Sequence, residues 1–135
     1  MNSLTFGKAG EDAVERYLTE RGWHISARNY ASHTGELDIV AFRRGVLAFV
    51  EVKTRSNESF GAPADAVDAQ KRIRIKDAAA GFVYEQMRKG GLPVYSKLLK
   101  RHVFRRVKTC RFDVAEVFMT RDLKVHDIVM HENEF

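Results

Sequence analysis

The chain has a single cysteine, Cys110, so no intrachain disulfide can form and nothing in its covalent chemistry points to an oxidising compartment. It has no apolar run near the roughly 20 residues needed to cross a bilayer, which argues against a membrane span. The opening Met1-Asn2-Ser3-Leu4-Thr5-Phe6 lacks the basic stretch and apolar core of a secretory leader, and the cytoplasm is the expected location. There is no glycine-rich phosphate loop, which argues against nucleotide-driven enzymes. His24, His33, His102, His126 and His131 show no metal-ligand spacing and read as ordinary polar residues, and Ser32 and Ser56 sit in no hydrolase motif. Internal repeats, low-complexity tracts and linkers rich in Pro, Gly or Ser are also absent.

Acidic residues are missing from one long stretch. None occurs between Glu85 and Asp113, where Arg88, Lys89, Lys97, Lys100, Arg101, Arg105, Arg106, Lys108 and Arg111 all fall. The net charge is +5, a level that suits a polyanionic partner such as nucleic acid without requiring one. At 135 residues, 44% hydrophobic and 30% charged, the chain fits one domain, residues 1–135, with a core of its own.

Phe6 to Arg21 reads as an amphipathic helix with Ala9, Ala13, Val14, Tyr17 and Leu18 on its apolar stripe, Glu11 at the stripe's edge and Gly22 as a stop. Trp23 to Arg28 alternates like a strand, and Ser32 to Gly35 is a turn. Residues 36–42 and 46–53 are β-rich runs flanking Arg43-Arg44-Gly45 and read as a hairpin of central strands, apolar on both faces. Ser56 to Pro63 reads as a loop. A long helix is expected from Pro63 or Asp65 to Lys89, ended by Gly90-Gly91. Residues 92–109 carry no clear periodicity, and strands are expected over 110–119 and 124–131. The order αβββαββ predicts an α/β sandwich with helices on a mixed sheet.

A two-residue loop at Arg44-Gly45 makes paired residue numbers sum to 89, setting Asp38 opposite Glu51 and Glu36 opposite Lys53. A four-residue loop gives the same register, whereas a three-residue loop would send the acids to opposite faces. In the favoured register one face runs Phe42, Val40, Asp38, Glu36 against Leu47, Phe49, Glu51, Lys53, greasy at the turn and charged at the far end. Leu37, Ile39 and Ala41 pack the other face. Opposed cross-strand residues have Cβ atoms roughly 4.5–5.5 Å apart. Two carboxylates held so close repel, and one takes up a proton unless a cation sits between them. Mg²⁺ suits such a site, and its retained waters suit phosphodiester hydrolysis. Lys53 projects from the same face, where it can position water or steady charge on a phosphate. The plain alternative is a salt-bridged cluster with Lys53, Arg43, Arg55 or Arg28.

Gly35-Glu36-Leu37-Asp38-Ile39-Val40-Ala41 followed by Phe49-Val50-Glu51-Val52-Lys53-Thr54-Arg55 resembles the YraN-type family of small bacterial proteins. These have a restriction-endonuclease-like fold and are similar to Holliday junction resolvases. Gly7, Gly10, Glu11, Ala13, Asn29-Tyr30, Phe60-Gly61, Lys71, Arg111 to Val114 and the Asn133 to Phe135 ending extend the match. Residues 90–109 depart from it, being longer and more basic than the family norm. The resemblance implies Asp38, Glu51 and Lys53 as catalytic residues, with Glu11 joining Asp38 and Glu51 as ligands of Mg²⁺ or Mn²⁺. It implies cleavage of DNA, with branched or damaged structures as substrates, and such substrates often call for a homodimer. Arg55, Lys71, Arg72, Arg74, Lys100, Arg101, Arg105 and Arg106 are the candidate nucleic-acid contacts, with Lys76 beside them on the second helix. A nucleic-acid-binding protein that keeps the fold without turnover is the alternative, and an adaptor whose basic arm meets an acidic protein is a third reading.

Overall fold

The computed structural model describes residues 3–56 and 68–135. The elements run α1 (Ser3–Glu20), β1 (His24–Ala31), β2 (Glu36–Arg43), β3 (Val46–Ser56), α2 (Ala69–Arg88), β4 (Leu92–Ser96), β5 (Arg101–Arg105), β6 (Thr109–Met119) and β7 (Val125–His131). A five-stranded mixed sheet has the order β1-β2-β3-β6-β7, and β4 pairs with β5 in a separate two-stranded sheet. The expected αβββαββ framework is present, with the β4–β5 hairpin inserted in the stretch that shows no periodicity. The loop expected over Ser56 to Pro63 lies outside the described residues except at Ser56, which belongs to β3. The second helix begins later than expected. Asp68 is extended (φ −69°, ψ 166°) and its side chain caps the first turn, accepting from the Lys71 N–H at 2.7 Å.

β2 and β3 are joined by Arg44-Gly45, both at positive φ (50° and 84°), as a type I′ turn requires. Asn-Gly is the pair that suits this turn; an arginine held left-handed costs about 1 kcal/mol. The ladder runs from Arg43↔Val46 to Ile39↔Val50, the 89-sum register. β3 then pairs in parallel with β6, from Val46↔Thr109 to Ser56↔Met119.

Each face of the sheet is covered by one helix. Val14 and Leu18 of α1 pack on Ile39, Ala41, Ala48, Val50, Ala115 and Val117. Ile75, Ala78, Ala79 and Phe82 of α2 pack on Leu37, Val40, Phe42, Leu47 and Phe49. Truncating a side chain as well enclosed as Phe82 costs about 3–5 kcal/mol. Leu37 corrects the expected facing, because it joins the α2 side with Ile75 rather than the Ile39 and Ala41 side. The β2–β3 ladder stops at Ile39, and although β2 stays paired with β1 to Glu36, Asn29 sits at positive φ between the Arg28↔Ile39 and Tyr30↔Leu37 pairs, so alternation is irregular at this end. α1 comes close to β3 at Gly10, where a Cβ would collide with the Thr54 side chain. Only glycine lets the helix sit this near the strand.

Candidate metal and phosphodiester site

The β2–β3 pair is central and apolar until Asp38 and Glu51, where it parts. In an uninterrupted ladder of this register the Val52 N–H would face Leu37. Instead it donates to Asp38 Oδ2 at 2.9 Å. The Asp38 carboxyl therefore folds back into the gap between the strands. Glu51 beside it is only 6% exposed, and Leu37, Phe49 and Ile75 wall the crevice that holds both acids. Burial in this apolar wall pushes the Asp38 pKa up to about 7, helped by the Glu51 charge. The Val52 N–H opposes that rise, while the more distant charge of Glu11 and a hydrogen bond between the two carboxyl groups reinforce it.

Lys71 answers the Glu51 charge. Its Nζ lies 2.6 Å from Glu51 Oε1. Burial acts to lower the Lys71 pKa, but contact with Glu51 outweighs it and the net shift is upward. Lys53, two residues beyond Glu51 and on the same face, is lowered by burial and then by the positive charge of Lys71. Two lysines and two carboxyls thus meet where the strands part, one lysine tied to an acid and the other destabilised as a cation. The three central residues expected from the hairpin lie together. Lys71, read in sequence as a backbone contact, is part of the same cluster.

Glu11 comes from the helix on the other face of the sheet. It lies 3.5 Å from the Arg28 guanidinium, which also contacts Asp12 at 2.6 Å and Glu15 at 3.7 Å. Arg28 so ties α1 to β1, pairing with acids of the helix rather than with Asp38 or Glu51. Among the described residues no three His, Cys, Asp or Glu side chains converge as a ready cation cage. The donor chemistry nonetheless suits a hard divalent cation: two carboxyl groups in contact, one of them forced towards its protonated form, with a third carboxylate near enough to be felt.

Sequence reading missed a neighbouring cluster. Glu116 lies opposite Lys53 in the parallel ladder. It accepts a 2.7 Å contact from His131 Nε2 and lies 3.5 Å from Arg55. Alternation along β6 puts Val114 and Glu116 on one face, a signal that would have found Glu116 had the parallel pairing been known. Of the other candidate contacts, Arg72 lies over the Phe135 ring and Arg74 packs its backbone against Gly35. Lys100 and Arg101 sit exposed at the β4–β5 turn. Arg105 and Arg106 lie at the hairpin-tip end of the sheet, with Arg43 and Arg44. The carboxyl pair is five residues along β3 from that end, about 16 Å.

A mixed sheet between two helices, its central strands parting around a carboxyl pair and lysines, places the molecule in the restriction-endonuclease-like α/β class. The profile described as "Uncharacterised protein family UPF0102" matches residues 10–117, and the chain belongs to that family, the YraN-type family of endonuclease-like proteins. Among its relatives is a UPF0102 protein of Alkaliphilus metalliredigens, 36% identical over 93% of this chain and 96% of the relative. A UPF0102 protein of Caldicellulosiruptor saccharolyticus is 34% identical over the full length of both chains. UPF0102 protein STH1475 of Symbiobacterium thermophilum is 40% identical over 85% of this chain and 83% of the relative. No helix among the described residues is long and apolar enough to cross a membrane.

Proposed function

We propose that this protein is a divalent-cation-dependent phosphodiesterase acting on DNA, an endonuclease in reaction type. The observation that carries the proposal is the Asp38–Glu51 pair. A sheet interior does not gather two carboxyl groups against an apolar wall at no cost, and hydrolysis is the use that repays them.

Asp38 and Glu51 would hold Mg²⁺ or Mn²⁺, with Glu11 able to contribute its charge from α1. The bound ion would supply positive charge to the phosphoryl oxygens and make water more acidic. The Val52 N–H fixes the orientation of the Asp38 carboxylate, and Lys71 fixes that of Glu51. Lys53, lowered below the ordinary lysine range, is the group on this face that can take up or return a proton at Nζ. In the reaction, water oxygen bonds to phosphorus, one ester P–O bond breaks, and the leaving oxygen gains a proton. The fold's net charge of +5 favours a polyanionic substrate.

Nuclease assays with Mg²⁺ or Mn²⁺ on linear, nicked and four-way DNA test the reading, comparing wild type with Asp38→Ala and Lys53→Ala. Metal-dependent cleavage that both substitutions abolish is expected. Cleavage unchanged in both variants would refute the site. Salt-sensitive binding with no cleavage under any of these conditions would establish a binding protein on a nuclease fold.

A further inference from the structure

The opposite end of the sheet from the carboxyl pair carries a second concentration of charge. The Gly45 carbonyl at the hairpin tip accepts from the Lys108 N–H at 2.8 Å and the Thr109 N–H at 3.1 Å. That clasp fastens the β5–β6 connection to the tip. Arg105, Arg106 and Lys108 are thereby brought beside Arg21, Arg43 and Arg44 around an open cleft of about 670 Å³. Among the described residues no carboxylate lines it.

Among the described residues no carboxylate pairs with Arg21 or Arg43, and both are held by neutral partners. Arg43 Nη1 donates to the Arg21 carbonyl at 2.9 Å, and its guanidinium lies over the Trp23 ring at 5.7 Å. Arg21 Nη1 donates to the Tyr17 carbonyl at 2.9 Å and its guanidinium stacks 3.4 Å from the Tyr17 ring. Carbonyls and rings orient a guanidinium yet leave its full charge facing the cleft. Burial lowers the His24 pKa in the same wall, and the nearby His102 lowers it further. Arg44 adds an independent sign. It occupies a left-handed turn position where asparagine is the better fit, so a cation is kept there against local backbone preference.

We propose that this cleft is a second nucleic-acid site, gripping the phosphate backbone away from the carboxyl pair. Guanidinium forks match phosphate oxygens in pairs, and five of the six cations are arginines. An acidic protein would need apolar contact to bury against, and the lining offers only Phe42 and Val94. Binding here stands independently of the hydrolytic reading and survives its failure, so the test is made in chelator, where no turnover occurs.

The experiment is fluorescence anisotropy of a short labelled DNA duplex over about 50 to 200 mM salt. Arg105→Ala with Arg106→Ala is expected to weaken binding about a hundredfold at about 50 mM salt and still several-fold at about 200 mM, shrinking the salt slope by about two. Arg16→Ala with Lys124→Ala removes the same charge from exposed positions outside the cleft and is expected to stay within about twofold of wild type. Arg44→Asn guards against a folding artefact, because it suits the turn: thermal melting is expected at or above the wild-type temperature while affinity falls about threefold. Unchanged affinity and slope in the Arg105 and Arg106 variant, a loss no larger than in the control pair, no binding by wild type, or equal displacement by polyglutamate would each overturn the proposal.

Discussion

Asp38 makes the metal-free protein less stable as pH rises, and Asp38→Asn should remove that dependence. The folded carboxyl titrates near 7 against 3.8 when free, so between those values the folded state holds a proton that the unfolded state has released. Stability contributed by the protonated group is complete below about pH 4 and is lost as pH climbs through 7. A shift of about three units corresponds to at most about 4 kcal/mol, and water at the edge of the crevice trims this to about 2–4 kcal/mol. Asparagine keeps an acceptor for the Val52 N–H and can donate to Glu51 without carrying charge. Urea denaturation followed by circular dichroism in chelator, at steps from about pH 4 to 8, reads the difference directly. The wild-type curve should fall relative to the variant across this window, and Mg²⁺ at the alkaline end should restore wild type more than the variant. Two curves separated by a constant gap would show that Asp38 is not forced to hold a proton, and the case for a cation between the acids would go with it.

Lys71→Met should destabilise the chelated protein by about 1–3 kcal/mol, because Glu51 would remain buried without its 2.6 Å partner; urea denaturation measures it. Gly10→Ala should cost about 1–3 kcal/mol by pressing α1 off Thr54, and Thr54→Ala in the same chain should recover much of that loss in a double-mutant cycle. Asp113 is 1% exposed, accepts from Arg111 Nε at 3.0 Å and holds the Asn133 N–H at 2.8 Å. Asp113→Ala should therefore cost about 2–4 kcal/mol in thermal or chemical melts and free the chain end for proteolysis.

The hairpin was legible because its turn fixes the arithmetic of pairing. Once Arg44-Gly45 is the loop, the register runs to Ile39 and Val50 and so delivers Asp38 and Glu51 together at the ladder's end. α1 was legible for the same kind of reason, its apolar stripe repeating at helical spacing up to Gly22. The hairpin β4–β5 was not. Leu92 alone is buried there, Pro93 follows it at once, and of β5 only Val103 is even half-buried, so two five-residue strands leave too little pattern to read. Long-range placement also escaped. Nothing local says that β3 and β6 run side by side, so Glu116 could not be set beside Lys53, and helical phase alone does not reveal that Lys71 reaches Glu51. For the same reason Arg105 and Arg106 gave no hint that they lie beside the hairpin tip rather than beside the acids. Leu37 shows a subtler limit: alternation predicts facing only while the ladders on both sides of a strand stay regular.

The parallel union of β3 with β6 has a consequence for how the chain matures. Its partners are separated by more than sixty residues, so β3 can form its hairpin early but must wait for most of the remaining sequence before its other edge is covered. During synthesis that bare edge, which carries Val46, Leu47, Phe49, Val50 and Val52, is a template for intermolecular pairing. A chain cut short before residue 109 would keep both acids and the lysine yet expose this adhesive border, and its expected fate is aggregation rather than a smaller working protein.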